Sequence, residues 1–224
     1  MRAPRGLWLK VVRDFLRPGP APRPLFIIGL ATLTVTALTI VFLIWLGIHV
    51  WGVPDKYFRE RRAGTYYSAV LLLTSGAVAA AVATRTSDPA ARRFWTVAGV
   101  GFAYLGLDDM FSIHEEIDRE LHRLAGWDYR HWLTDRLDDA IVVSYGIAAA
   151  AWGFWHRQAF LTLRWTRLLL GIAFVGFVVM VGLDALGKTP TLEEAVKLLS
   201  GTLIVLALLA AYLDPDLPHR REGP

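Results

Sequence analysis

The sequence predicts an all-α, polytopic membrane bundle of six transmembrane helices, with both termini inside and an amphipathic interfacial helix ahead of the first span. Three observations carry this reading. Residues 24–54 and 63–84 hold no charged side chain, and each run is long enough to cross a hydrocarbon core of about 30 Å at about 1.5 Å per helical residue. Four further uncharged runs follow, at 94–107, 140–155, 168–183 and 198–213. The composition is 54% hydrophobic, with nine Trp and no Cys. Without cysteine there is no disulfide, thiolate nucleophile or Cys-type zinc site, so any metal would be held by His nitrogen and carboxylate oxygen. The net charge of +4 is the charge of residues flanking membrane spans and does not point to nucleic acid.

Taken in order, residues 5–17 place Leu7, Trp8, Leu9, Val11, Val12, Phe15 and Leu16 on one arc of a helix and Lys10, Arg13, Asp14 and Arg17 on the other. That is the pattern of a helix lying in the membrane interface. The Pro-rich stretch Pro18–Pro24 ends it, and 1–24 forms a basic N-terminal region ahead of a transmembrane domain at 25–213 and a short tail at 214–224. The hydrophobic run from Leu25 is far longer than a cleaved signal core. The spans are expected at about 25–51, 65–84, 94–114, 139–156, 167–186 and 193–213. The 115–138 connection has room for a polar helix and a turn near Gly126. Gly171, Gly176, Gly182 and Gly187 read as close-packing positions between helices.

Orientation follows from Lys and Arg bias. With the N-terminus inside, fourteen basic residues lie inside and ten outside, four of the ten in Lys56–Arg62. Trp95, Trp152, Trp155 and Trp165 then mark inner ends, and Trp45, Trp51, Trp127 and Trp132 outer ends, as aromatic belts require.

The last four runs are 14, 16, 16 and 16 residues long. At about 1.5 Å per residue each reaches only about 21–24 Å, so each must draw charge into its outer end. Those charges are Asp108 and Asp109, then Asp138 and Asp139, then Asp184, then Glu193, Glu194 and Lys197. All fall at the same face, which points to a shared outward-facing polar cavity. In one unbroken helix, Asp108, Glu115 and His122 form a stripe, with Ser112 beside it. His114, Asp118 and His122 recur at steps of four. Glu193 and Lys197 have the order of an i,i+4 ion pair. Ionisable residues at such depth are costly and commonly functional.

His114-Glu-Glu-Ile-Asp118 is like the zincin His-Glu-x-x-His segment with Asp in the last place. Residues at i and i+4 can share a metal while the intervening Glu acts on its bound water. The segment Leu-Asp-Asp-Met-Phe-Ser-Ile-His-Glu, together with Leu-Glu-Glu-Ala-Val-Lys in the last span, resembles a family of uncharacterised bacterial multi-span membrane proteins. Those carry Leu-Asp-(Asp/Glu) followed by Ile-His-Glu and a later Glu-Glu-x-x-Lys. The resemblance implies a bacterial cytoplasmic (inner) membrane location and no particular activity.

Three functions fit this pattern. The first is a metal-dependent hydrolase or transferase acting on a lipid or lipid-linked substrate. Its divalent ion (Zn, Mn or Fe) would be held among Asp108, Asp109, His114, Asp118 and His122, with Glu115 as general base and Glu194 or Asp139 completing the shell. The second is a non-enzymatic binding or accessory protein that docks a lipid or membrane-protein partner. The third is a cation or proton transporter, although the inner halves of the spans carry almost no ionisable residue.

Overall fold

The computed structural model describes residues 21–59, 61–127, 137–186, 190–214 and 217, with the side chains of Asp139 and of 184–186 outside that description. The expected interfacial helix at 5–17 and the polar residues His131 and Asp135 also lie outside it. All regular elements among the described residues are helices: α1 Arg23–Trp51, α2 Ala63–Arg85, α3 Pro89–Phe111, α4 Ile113–Ala125, α5 Leu137–Trp155, α6 Gln158–Leu161, α7 Arg164–Leu186 and α8 Pro190–Leu213.

Helix ends follow local chemistry. Gly52 adopts a left-handed φ of 72° and closes α1, its N–H donating to the Ile48 carbonyl. Asp88 opens α3 by accepting the N–H groups of Ala90 and Ala91, with Pro89 in the first turn where its missing N–H costs nothing. Four helices are long and apolar enough to cross a membrane: α1, α2, α7 and α8. The two others expected to span differ for physical reasons. Helix α3 carries Arg92, Arg93, Asp108 and Asp109 within its 23 residues, and the apolar part of α5 is confined to Ala140–Trp155.

The long helices alternate in direction. Helices α2 and α3 run antiparallel through small residues, so close that a Cβ on Gly76 would sit 2.9 Å from the Gly99 carbonyl oxygen. One on Gly106 would sit 2.9 Å from Leu73. Without a hydrophobic force between helices in lipid, such close approach supplies the attraction by dispersion. Gly176 does the same for α7 against Ser200 of α8, as expected. Gly182 does not, because a Cβ there would meet nothing within 4 Å among the described residues. Helix α8 is the central post: Thr202 bonds Thr36 of α1 at 2.9 Å, and Thr36 bonds Tyr67 of α2 at 2.8 Å, a hydroxyl chain tying three helices. At the other end Arg85 donates to the Tyr212 carbonyl at 2.9 Å and lies over the Tyr212 ring.

Among the described residues, aromatic placement departs from the belt at Trp95, and Trp152 packs partly buried against the same core. Trp95 is buried in the core with Phe94, Val82, Leu163 and Leu208, whereas Trp45, Trp51, Trp127 and Trp155 are exposed. A residue at a helix end can turn inward when the adjoining helices leave room, and here Trp95 meets Phe94 edge to face at 4.8 Å.

The Gly76–Gly99 crossing predicts that Gly76→Val lowers the thermal unfolding midpoint in detergent, with overpacking costing about 1–3 kcal/mol. Gly101→Ala should not lower it, because among the described residues nothing lies within 4 Å of a Cβ there.

Candidate functional site

The acidic segment is two helices. Helix α3 ends at Phe111, and Ser112 takes the left-handed conformation at φ 52°, ψ 49° before α4 begins at Ile113. A non-glycine residue there costs about 1–2 kcal/mol, so something must hold the break. Asp108 does. Its buried carboxylate accepts the backbone N–H of His114 at 2.8 Å through Oδ1 and faces the His114 ring Nδ1 at 3.0 Å through Oδ2. His114 is the second residue of α4, so Asp108 caps a helix that begins beyond its own. Because a carboxylate accepts, Nδ1 carries the proton, and the imidazole is held in one tautomer.

This overturns the continuous stripe. Asp108, Glu115 and His122 would share a face only in an unbroken helix. Ser112 redirects the chain, and Asp108 meets His114 instead. Along α4 the four-residue spacing holds: Asp118 and His122 are both buried, with Nδ1 of His122 2.9 Å from Asp118 Oδ1 and 3.0 Å from the Asp118 carbonyl. Trp127 packs edge-on to the His122 ring at 6.1 Å. Glu115 is half-buried between the two pairs.

Asp109 points to α8. Its Oδ1 accepts from Lys197 Nζ at 2.9 Å, and Glu194 Oε1 lies 3.7 Å from the same ammonium. Glu193, the expected i,i+4 partner of Lys197, acts on the same ammonium, and Glu194, three residues away, joins it. One cation between two half-buried carboxylates locks the end of α3 to the start of α8. A residue the sequence reading missed joins the same region. Tyr104, one turn before Asp108, shares a hydrogen bond of 2.9 Å with Tyr145 of α5; its spacing from Asp108 was the available signal.

The remaining expected residues are placed as follows. Ser112 is buried, Glu193 and Asp138 are half-buried at the starts of α8 and α5, and Asp139 and Asp184 lie on α5 and α7. His49 is exposed and turns back to the Trp45 carbonyl at 2.9 Å. Among the described residues no three His, Asp or Glu side chains converge as a metal centre would require. The donors fall instead into acid–histidine pairs. His114 and His122 are two helical turns apart, about 12 Å of rise, too far for their rings to share one ion.

Residues 26–212 match a domain of unknown function, DUF8692. The chain belongs to that family, and so to a group of uncharacterised proteins, as its Leu-Asp-Asp and Ile-His-Glu segments had suggested. No curated protein and no solved structure matches it.

Two outcomes follow from these contacts. Asp108→Ala should speed amide hydrogen exchange about tenfold over the first turn of α4, since losing a cap costs about 1 kcal/mol or more; Asp108→Asn, which keeps an acceptor oxygen, should fall between. Lys197→Met should destabilise the protein by less than the roughly 3–5 kcal/mol seen when one partner of a fully buried ion pair is removed, because Lys197 and Asp109 are half-buried. Adding Asp109→Asn and Glu194→Gln to it should restore much of the lost unfolding midpoint.

Proposed function

We propose that the chain is a multi-pass membrane hydrolase or transferase that uses the Asp108–His114 pair for general acid–base chemistry on a lipid or lipid-linked substrate. The observation that supports this is the double grip of one buried carboxylate on His114, through the backbone N–H and through Nδ1. Orienting an imidazole this way makes Nε2 the ring nitrogen at which proton transfer occurs. His114 Nε2 takes a proton from an attacking water or alcohol and returns it to the leaving group. Asp108 stabilises the imidazolium formed between those steps. Glu115, next in sequence, is the second acid–base group. Such catalysis contributes about 10²–10⁴-fold.

In this reading six helices span a bacterial inner membrane with both termini inside, and the acid–histidine residues meet the outer leaflet. The alternating direction of the six long helices supports it. The basic loop at 56–62 would then lie outside. Its charge is partly met there, because Arg59 pairs with Asp55 at 2.9 Å and Lys56 lies over the Trp51 ring.

A second reading has its own support. A carboxylate on Nδ1 is also how a metal-binding imidazole is aimed, so His114 Nε2 would be a ligand for Zn, Mn or Fe with further donors from Glu115 and the neighbouring helices.

The experiment is turnover of phospholipid, ceramide and polyprenyl-phosphate substrates by protein in nanodiscs, read by mass spectrometry, with metal content measured on the same samples. One substrate class should be converted, and His114→Ala should reduce kcat about 10²–10⁴-fold. Stoichiometric metal lost in His114→Ala would favour the second reading. Conversion of no class, or a folded His114→Ala as active as the parent, would defeat both enzyme readings.

A further inference from the structure

Helix α4 is amphipathic with its faces reversed. In a water-exposed helix the apolar side turns to the core. Here the buried residues are Asp118 and His122, while Ile117, Leu121 and Leu124 are exposed, Leu124 at 73%. Spacings of four and three put Ile117, Leu121 and Leu124 on one side of the helix. A third side carries Glu116, Arg119, Glu120 and Arg123, closed into two exposed ion pairs, Glu116–Arg119 and Glu120–Arg123. Glu120 holds the Arg123 guanidinium above its already high ordinary value through that hydrogen bond. The helix thus has one side for the protein, one for water and one for something apolar.

The apolar side does not begin with α4. On α3, Val97, Val100, Tyr104, Leu107 and Phe111 are all exposed, and their steps of three and four make one stripe along the helix. That stripe runs to the Ser112 break, beyond which Ile117, Leu121 and Leu124 continue the run of exposed apolar residues. The flank of α3 is of one kind with the outward faces of α1 and α7, which expose Phe26, Val35, Val41 and Phe42, and Phe174, Val175 and Val178. Both helices are apolar and long enough to cross a membrane.

We propose that α4 lies along the membrane–water boundary, with Ile117, Leu121 and Leu124 seated in the acyl chains of the leaflet around the acidic end of the bundle. Its Glu/Arg pairs sit at headgroup level and Asp118 and His122 face the protein. The occupant of the apolar side is lipid, because that side continues a flank matching those of the apolar helices. The left-handed turn at Ser112 is what lays the helix along the boundary instead of projecting it into water. This inference goes beyond the acid–base reading and does not depend on it.

The absence of cysteine from the chain makes the test direct. Single cysteines at Ile117, Leu121, Leu124, Glu116, Arg119 and Arg123 are nitroxide-labelled in phosphatidylcholine–phosphatidylglycerol nanodiscs, and relaxation by oxygen and by a water-soluble nickel chelate is compared. The first three should favour oxygen several-fold and the last three the nickel chelate. In the unmodified protein, a diazirine-bearing phospholipid should leave carbene adducts on the peptide containing Ile117–Leu124. Equal nickel access at all six positions would put α4 in water and overturn the proposal. Shielding of Leu121→Cys and Leu124→Cys from both reagents, with no lipid adduct, would show protein on that side, a second copy or another partner, and overturn it equally.

Discussion

A carboxylate at the end of an apolar helix has to be met by a proton donor or a cation, and Asp108 and Asp109 are met in different directions. Asp109 is held by Lys197, which fixes α3 against α8. Asp108 turns to the chain that follows it and takes the backbone amide and the imidazole of His114 in the next helix. Neighbouring acids on a helix point about 100° apart, so one pair of residues anchors two interfaces. The hold of Asp108 on His114 therefore helps to offset the cost of the left-handed Ser112.

The packing below this end depends on the same economy of polar groups. In lipid the helices gain little from hiding apolar surface, so they need either close backbone contact or hydrogen bonds. Gly76, Gly99 and Gly106 provide the first between α2 and α3. Thr36, Tyr67 and Thr202 provide the second among α1, α2 and α8. Helix α2 takes part in both, which explains why its buried side is built from Ala, Ser, Thr and Gly with so few large residues.

The helix positions were legible because lipid-exposed helices exclude charge, and charge-free runs have sharp ends. Each expected span lies within a few residues of an observed helix. The break at Ser112 was harder to see, since neither Gly nor Pro marks it. A signal was present: Ser112-Ile-His-Glu115 has the Ser-x-x-Glu form of a capping box, although the Ser112 side chain makes no capping bond and Asp108 caps in its place. Spacing identified the inward residues of α4, because Asp118 and His122 obey helical period. It could not choose between Glu193 and Glu194 for Lys197, since i,i+3 and i,i+4 neighbours are both within reach. Trp95 shows the limit of composition. An indole at a helix end suits an interface or a core equally, and only the neighbouring helices decide.

The pairing of acids with histidines also changes what the site can do. As free carboxylates, the acids of this segment would need bound cations or shared protons to persist near hydrocarbon. With Asp108 on His114, Asp118 beside His122 and Asp109 on Lys197, three of them lie within 3.0 Å of a side-chain nitrogen of the chain itself. On the acid–base reading proposed above, these contacts leave the two imidazoles as the groups that handle protons at this end. The His114 ring is held at Nδ1 by the Asp108 carboxylate and the His122 ring at Nδ1 by the Asp118 carbonyl, with the Asp118 carboxylate 2.9 Å away, and the two rings are separated by two turns of α4. They form two separate acid–histidine pairs, one at the start of α4 beside the Ser112 turn and one near its end beside Trp127. The pair at the turn is joined to α8 through the neighbouring Asp109, so the position of His114 is tied to the transmembrane bundle, the rigidity that the proposed proton transfer would require.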